Sequence, residues 1–215
     1  MTERNGRKGG YRSPLREAQA ETTRRSIIDA AARLFGEQGY AGTSIDQIAL
    51  AAGVSRATVF NAAGSKATLL KLALDVAIVG DDEPVALADR PGSQAIRAEP
   101  DVRTYLRRYA GLVSTIGARL APLTEAARSA ADADPEAGRL WHAHEAQRRV
   151  GAAHVIADVI RKGRLRKGLG AAHAADIVWV LNDPRLYHQL VLERGWSAST
   201  FTSWLADTMQ QQLLG

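Results

Sequence analysis

The sequence contains no cysteine and no long run of apolar residues. Disulfide bonds and thiolate metal sites are therefore excluded, and a reducing cytoplasm is consistent with this composition. The longest apolar stretch, residues 69–79, carries Lys71 and Asp75 and is far too short to span a bilayer. The N-terminus lacks the apolar core of a signal peptide. We therefore expect a soluble, cytoplasmic protein with no membrane partner.

Aromatic residues are scarce, at 6% of the chain, but apolar residues as a whole make up 46% and charged residues 24%. This is an ordinary balance for a globular protein. A chain of 215 residues is long enough for one large domain or two small ones, with a substantial core.

Positive charge is concentrated in the first third of the chain. Residues 1–71 contain 11 Lys and Arg against 6 Asp and Glu, whereas residues 72–215 contain 17 of each, so the whole net charge of +5 lies before residue 72. Residues 1–21 are predicted to be a flexible basic arm, which either solubilises the protein or docks on phosphates. Its basic residues are Arg4, Arg7, Lys8, Arg12 and Arg16.

The pattern of residues 22–79 predicts four helices. The first, over 23–37, has an apolar stripe at helical spacing and ends at Gly39. Ser44 and Gln47 form a capping box for the second helix. Ser55 caps a short third helix over 56–63, and the fourth runs over 65–79.

A helix, a tight turn at Gly53 and a short second helix form a helix-turn-helix arrangement. The short helix is poor in apolar bulk, and its small residues Ala57 and Ala62 would permit close approach to a major groove. Arg56 suits a bidentate contact to guanine and Asn61 a contact to adenine. The alternative is a short capped helix in an ordinary bundle, which the basic charge of this region does not favour.

The run TRRSIIDAAARLFGEQGYAGTSIDQIALAAGVSRATVFNAAGSKATLLK, residues 23–71, resembles the DNA-binding domain of the tetracycline-repressor (TetR) family of bacterial transcriptional regulators. The resemblance covers about a quarter of the chain. It implies that Thr43 and Ser44 meet a phosphate and that Lys66 clamps the DNA backbone. It also implies a recognition surface made by Ser55, Arg56, Ala57, Thr58, Phe60 and Asn61.

Two residues depart from the family pattern. Phe60 stands where the family commonly has a tyrosine, and Ala62 stands where it commonly has a histidine. Neither side chain can donate a hydrogen bond to phosphate, so backbone anchoring by this helix is expected to be weaker than usual. The basic arm is a candidate to compensate.

The remaining sequence predicts a second helical module. Residues 80–100 are predicted to be a loop or partly disordered connector. Helices are predicted over 101–120, 135–161 and 172–181, and two more follow the caps Asp183 and Ser197. Pro122 and Pro135 are expected to interrupt the helices. No segment alternates with the period of a strand, so the predicted fold is all-α: a three-helix DNA-binding domain joined by a fourth helix to a C-terminal helical domain, residues 101–215.

By the resemblance, the C-terminal domain dimerises and encloses a pocket for a small-molecule effector. The residues predicted to line the pocket are Tyr105, Tyr109, Trp141, His144 and Trp179. The apolar residues predicted to form a dimer seam are Val178, Leu181, Leu186, Leu190, Trp204, Leu205, Met209 and Leu213. The alternative for both sets is the core of a monomer, because aromatic residues at helical spacing are more often core than ligand contacts.

No pattern of catalytic or metal-ligating residues is convincing. His142 and His144 lie two residues apart, on different faces of a helix, so they do not form the i, i+4 pair that shares a metal ion. We expect no metal, no cofactor and no enzymatic activity.

The predicted function is a ligand-responsive regulator, a repressor, that binds palindromic operator DNA as a homodimer. The alternatives are an enzyme that uses the helical domain, for which His144 and Asp176 are the only candidates, and a structural DNA-binding protein without an effector.

Overall fold

Four helices form the N-terminal part of the fold, in a computed structural model that describes residues 14–81, 83 and 85–215. They are α1 (Pro14–Gly42), α2 (Ile45–Ala52), α3 (Arg56–Ala63) and α4 (Lys66–Val79). Helix α1 begins nine residues before its predicted start, because residues 15–21 are strong helix formers, and it breaks at Gly39, where φ is 73°. Residues 14–21 of the predicted arm are thus helical, and residues 1–13 lie outside the described residues.

The helix caps predicted in this region are confirmed. The Oγ atom of Ser44 accepts from the backbone N–H of Gln47 at 3.2 Å, and the Gln47 side chain accepts from the Ser44 N–H at 2.7 Å. Ser55 and Ser65 each accept from the backbone N–H three residues further on, at 3.1 and 3.0 Å. Gly53 ends α2 in the left-handed region, with φ at 68°, which turns the chain tightly into α3.

Six further helices complete the described chain. They are α5 (Pro91–Ala98), α6 (Val102–Ala133), α7 (Pro135–Lys162), α8 (Ala171–Leu181), α9 (Pro184–Tyr187) and α10 (Ala198–Leu213). A short π-helix, His188–Glu193, continues α9. The β-structure of the described residues is limited to one isolated bridge, between Leu165 and Leu214, so the all-α prediction is confirmed. No helix in this part of the chain is long and apolar enough to cross a membrane.

Helix α6 continues through Pro122, where an interruption was predicted. A proline inside a helix costs about 3 kcal/mol, because it removes a backbone hydrogen bond and crowds the preceding turn. Here the residues on both sides of Pro122, Ala121 and Leu123, are buried at 2% and 3% exposure. Burial of the flanking turns therefore holds the two halves of α6 in one helix.

The connector over residues 80–100 also differs from its prediction, because it contains the turn Leu87–Asp89 and helix α5. Arg90 directly precedes α5 and makes two hydrogen bonds to the Asp81 carboxylate, at 2.5 and 2.6 Å. Pro91 occupies the first helical position, where proline is well tolerated. The ion pair closes the connector into a loop, and this contact between residues nine positions apart is not visible in helical periodicity.

Two hydrophobic cores share helix α6. The first core joins the four N-terminal helices to the second half of α6, through Phe35, Ile48, Val59, Leu69 and Leu123. The second core joins the first half of α6 to α7, α8 and α10, through Leu106, Ile156, Val178, Phe201 and Leu205. Helix α6 is therefore the common support of the two parts of the chain.

Four residues predicted to form the dimer seam lie inside the second core. Val178, Leu205, Met209 and Leu213 each have 0% exposure, so they cannot contact another chain. The prediction is wrong for these four, because a helical stripe does not show whether its neighbour belongs to the same chain. The other four, Leu181, Leu186, Leu190 and Trp204, are half-buried.

A polar junction joins the two parts where α6 passes into α7. The hydroxyl of Tyr40 donates to Asp134 Oδ2 at 2.6 Å, and Asp134 Oδ1 caps α7 by accepting from the Glu136 N–H at 2.8 Å. The side chain of Glu136 in turn accepts from Ser65 Oγ, at the start of α4, at 2.9 Å. The hydrogen bond from Tyr40 lowers the pKa of Asp134, so this carboxylate stays ionised.

The change Tyr40→Phe is expected to lower the free energy of unfolding by about 2 kcal/mol, because a hydrogen bond to a charged acceptor is lost. Urea denaturation followed by circular dichroism measures this loss. The matched control is Tyr187→Phe: Tyr187 is 6% exposed against 5% for Tyr40, and its hydroxyl bonds to no described residue. The control should lose less than about 0.5 kcal/mol. Equal losses in the two variants would contradict the role of the junction.

Candidate nucleic-acid interface and ligand cavity

Helix α3 has one buried edge and one exposed face. Val59 and Ala63 are buried against the first core, and this contact holds a helix of eight residues that would not be stable alone. The exposed residues of the helix and its cap are Ser55, Arg56, Ala57, Phe60 and Asn61, and Thr58 is half-buried. A short helix that presents small and hydrogen-bonding side chains to solvent fits a major groove about 12 Å wide.

Arg56 on this face is held by neighbouring side chains. Its Nη1 atom lies 2.7 Å from Asp46 Oδ2, in the first turn of α2, and its guanidinium lies 5.5 Å from the centre of the Phe60 ring. Both members of the ion pair are more than half exposed, so the pair contributes little to stability. It does direct the guanidinium along the exposed face.

A cavity of about 380 Å³ lies in the other half of the molecule, between the end of α4, the connector with α5, and the facing sides of α6 and α7. Its volume is within the range of pockets for drug-sized ligands. The apolar part of its wall includes Ile78, Leu87, Ile96, Leu112, Val113, Ile116, Leu120 and Val155. Its polar lining includes Ser93, Arg97, Tyr105, Tyr109, His144, Gln147, Arg148, His154, Asp158 and Asn182.

One polar group of the cavity centres on Asp158, which is 8% exposed. Its carboxylate accepts from the Tyr105 hydroxyl at 3.2 Å, contacts the Arg161 guanidinium, and lies 3.8 Å from Arg97 Nε. Burial and the nearby Asp158 raise the pKa of Tyr105, so this phenol keeps its proton. The buried carboxylate is thus paired on all sides.

A second polar group is a chain of four side chains. Arg148 Nη1 donates to both oxygens of Glu145 at 2.9 Å, and Arg148 Nη2 donates to Asn182 Oδ1 at 2.9 Å. Asn182 Nδ2 then donates to the Tyr109 hydroxyl oxygen at 3.1 Å. Tyr109 is therefore fixed at the cavity wall by residues of α7 and of the turn after α8.

Residues 27–73 match the model of the family described as bacterial regulatory proteins, tetR family. Over 42 residues the chain is 48% identical to the HTH-type transcriptional regulator AcrR of Shigella flexneri, and the match covers 20% of each chain. The chain thus spans about a fifth of the length of this curated relative. The matched segment contains the helix-turn-helix of α2 and α3.

Over residues 27–73 the chain is similar to bacterial regulatory proteins of the tetR family.

Solved structures share the fold over nearly the whole chain. A Saccharomonospora viridis protein, described as a transcriptional regulator and solved in complex with choline, gives a TM-score of 0.67 at 23% identity, over 89% of this chain and 97% of that one. NalD of Pseudomonas aeruginosa, the secondary repressor of the MexAB-OprM multidrug efflux pump, gives a TM-score of 0.64 at 22% identity, over 91% of this chain and 98% of that one. These likenesses show a common fold.

Thr43 does not take the position that the TetR resemblance implied. It is 1% exposed, and its hydroxyl lies 2.8 Å from the Gly39 carbonyl oxygen and 3.1 Å from that of Leu34. The hydroxyl therefore closes the turn between α1 and α2 and is not available to a phosphate. Ser44, the next residue, is exposed at the start of α2.

Lys66 is also turned toward the protein. Its ammonium donates to the carbonyl oxygens of Tyr40 at 2.8 Å and Thr43 at 2.9 Å, and lies 4.0 Å from the centre of the Tyr40 ring. Burial lowers the pKa of Lys66, and Asp134 partly offsets this. Two of its three N–H donors hold the corner between α1 and α2, and a contact from Lys66 to the DNA backbone stays a prediction.

Three of the five residues predicted to line an effector pocket line the large cavity: Tyr105, Tyr109 and His144. Trp141 lines a separate cavity of about 50 Å³ between α4, α6 and α7. Trp179 lines neither cavity; its carbonyl accepts from Arg148, and its ring lies 4.7 Å from the Arg149 guanidinium. Neither tryptophan therefore lines the large cavity, because α8 contributes to it only through the turn that follows the helix.

Several residues of the candidate interface and of the cavity were missed from the sequence. Asp46 looks like an ordinary acidic residue in the first turn of a helix, and its contact with Arg56 spans ten positions. Ser93 and Arg97 belong to α5, in the segment that was predicted to be a loop. Asp158 lies on the buried side of α7, and only its position at helical spacing from apolar residues could have indicated it.

The change Lys66→Met is expected to lower the free energy of unfolding by about 2–3 kcal/mol, because two hydrogen bonds from a charged donor are lost. The control is Lys71→Met on the same helix, whose ammonium pairs with Asp75 at the surface and should contribute less than about 0.5 kcal/mol. Urea denaturation compares the two. Unchanged stability, with a flatter salt dependence of DNA binding, would instead make Lys66 a phosphate contact.

Proposed function

We propose that this regulator is a repressor that binds palindromic operator DNA as a homodimer and is released when a small-molecule effector enters the large cavity. The observation that carries the proposal is the position of α4, which begins beside the helix-turn-helix at Lys66 and lines the cavity at Ile78. A single helix thus connects the surface that would read DNA to the space that would hold the effector.

The DNA-binding part of the proposal is supported by the exposed face of α3. Arg56 and Asn61 are exposed there, and their side chains match the acceptor and donor patterns of guanine and adenine in the major groove. Ser44 and Ser55 lie at the N-termini of α2 and α3, where a phosphate would be stabilised by backbone N–H groups and the helix dipole. The net positive charge of residues 1–71 supports the same surface.

The dimer part of the proposal is supported by apolar side chains that the chain leaves uncovered. Val180 at the end of α8 is 53% exposed and Leu192 in the π-helix is 52% exposed. The half-buried members of the predicted seam are in the same segment or on α10: Leu181, Leu186, Leu190 and Trp204. A second copy of the chain would cover these side chains and place two α3 helices on successive turns of DNA, about 34 Å apart.

The effector part of the proposal is supported by the cavity volume of about 380 Å³ and by its mixed lining. The similar S. viridis protein was solved with choline, and NalD is a repressor, so proteins of this fold include both ligand-bound and repressing members. An enzyme in the same domain is not supported. His144 lines the cavity, whereas Asp176 is exposed on α8 and does not line it.

The change Arg56→Ala is expected to weaken binding to the operator by about 1–3 kcal/mol and to relax the preference at one base pair of each half-site. A binding selection from random DNA, followed by fluorescence anisotropy, measures both effects. The control Arg128→Ala removes an exposed arginine that pairs with Glu125 on α6, and it should leave both unchanged. Equal losses on operator and random DNA would make Arg56 a phosphate contact.

An effector is expected to lower operator affinity by about 1–3 kcal/mol, the usual size of a coupling free energy. Because coupling is reciprocal, operator DNA must lower the affinity for the effector by the same factor. A compound that raises the melting temperature of the protein is titrated by calorimetry with and without operator. Equal affinities for the compound in both titrations would exclude it as an effector.

A further inference from the structure

The amide of Asn182 can take only one orientation. Arg148 Nη2 can only donate, so the Asn182 atom that lies 2.9 Å from it must be the carbonyl oxygen. Arg148 itself is fixed by two hydrogen bonds to Glu145 and a third to the Trp179 carbonyl at 3.0 Å. The amide nitrogen of Asn182 is therefore the atom that faces Tyr109, and a nitrogen of this kind can only donate.

The hydroxyl proton of Tyr109 is left without an acceptor. The phenol oxygen accepts from Asn182 at 3.1 Å, and none of the described side chains or carbonyl groups accepts the phenolic proton in return. Burial raises the pKa of Tyr109, so the proton remains on the phenol at neutral pH. Tyr109 is half-buried at the cavity wall. A donor there without an acceptor in the chain is unfavourable, and an acceptor on a molecule in the cavity would remove this cost.

The charged side chains at the cavity wall already have partners of opposite charge. Arg148 is paired with Glu145 at 2.9 Å, and Asp158 is paired with Arg161 and, at 3.8 Å, with Arg97. His144 adds no charge near neutral pH, because burial lowers its pKa below the ordinary value. An ionic ligand would have to compete with these pairs, whereas a neutral ligand would leave them intact.

We infer that the cavity binds a neutral, largely apolar molecule whose carbonyl-type oxygen accepts a hydrogen bond from Tyr109. This inference rests on the proposed function, in which the same cavity holds the effector. The apolar wall built by α4, α6 and the connector covers the body of the ligand, and Tyr109 fixes its orientation. The residues that supply this wall are Ile78, Leu87, Leu112, Val113, Ile116 and Leu120.

Fluorescent probes of matched size test the inference on the full chain. The neutral naphthyl ketone prodan carries a carbonyl oxygen, and its emission shifts to longer wavelength when that oxygen accepts a hydrogen bond. Neutral N-phenylnaphthylamine lacks a carbonyl, and anilinonaphthalene sulfonate is its anionic counterpart. Prodan is expected to bind with hydrogen-bonded emission. N-phenylnaphthylamine is expected to bind at least 10-fold more tightly than the sulfonate, a ratio that about 1.4 kcal/mol would produce.

The variant Tyr109→Phe isolates the phenolic proton. It should weaken prodan binding by about 3- to 10-fold, the effect of one net hydrogen bond, and shift the emission of bound prodan to shorter wavelength. The affinity for N-phenylnaphthylamine should change less than about twofold, which also shows that the variant is folded around an intact cavity. Tyr105→Phe is the control, because Asp158 already accepts the hydroxyl proton of Tyr105. In this variant the ratio of the prodan affinity to the N-phenylnaphthylamine affinity should stay that of the wild type.

The inference is overturned if neither neutral probe binds, if the sulfonate binds more tightly than N-phenylnaphthylamine, or if bound prodan emits as a free carbonyl in the wild type. Failure of the proposed function gives a different result. In that case prodan binds with the expected emission and responds to Tyr109→Phe, but saturating prodan and other ligands of the cavity leave operator affinity unchanged.

Discussion

The hydrogen bond between Tyr40 and Asp134 is the contact on which the relation between the two halves of the molecule depends. One oxygen of Asp134 caps α7 and the other holds the end of α1, so a single carboxylate fixes a helix start and a helix end together. Lys66 holds the same corner through two backbone carbonyls. Since α2 and α3 follow directly from this corner, the direction of α3 is set by contacts that lie outside it.

Helix α4 extends this constraint to the cavity. Its first turn meets Glu136 through Ser65, its middle lines the small cavity at Leu70 and Leu74, and its end lines the large cavity at Ile78. The carbonyl of Ile78 also accepts from Arg119 of α6 at 3.0 Å. In the proposed function, a shift of the α4 end at the cavity would move its start beside the helix-turn-helix, in the way that packed helices carry small shifts between distant sites.

The features that local chemistry decides were predictable from the sequence. The cap at Ser44 with Gln47, the turn at Gly53 and the start of α9 at Pro184 each depend on a few neighbouring residues. The features that depend on residues distant in the sequence were not predictable. Lys66 at the start of a helix is equally compatible with a phosphate or with two carbonyls of its own chain, and Leu205 in an apolar stripe is equally compatible with a partner or with its own core. The lack of an acceptor for the hydroxyl proton of Tyr109 was the least predictable feature, because it depends on the orientation of an amide 73 positions away.

The ion pair between Arg56 and Asp46 affects how Arg56 would bind a base in the proposed function. In the proposed function, an arginine without a partner would exchange water for a base, whereas Arg56 would also give up the Asp46 carboxylate, 2.7 Å from its Nη1 atom. Binding at that position would then substitute one acceptor for another, and a base without a suitable acceptor would gain nothing from the exchange.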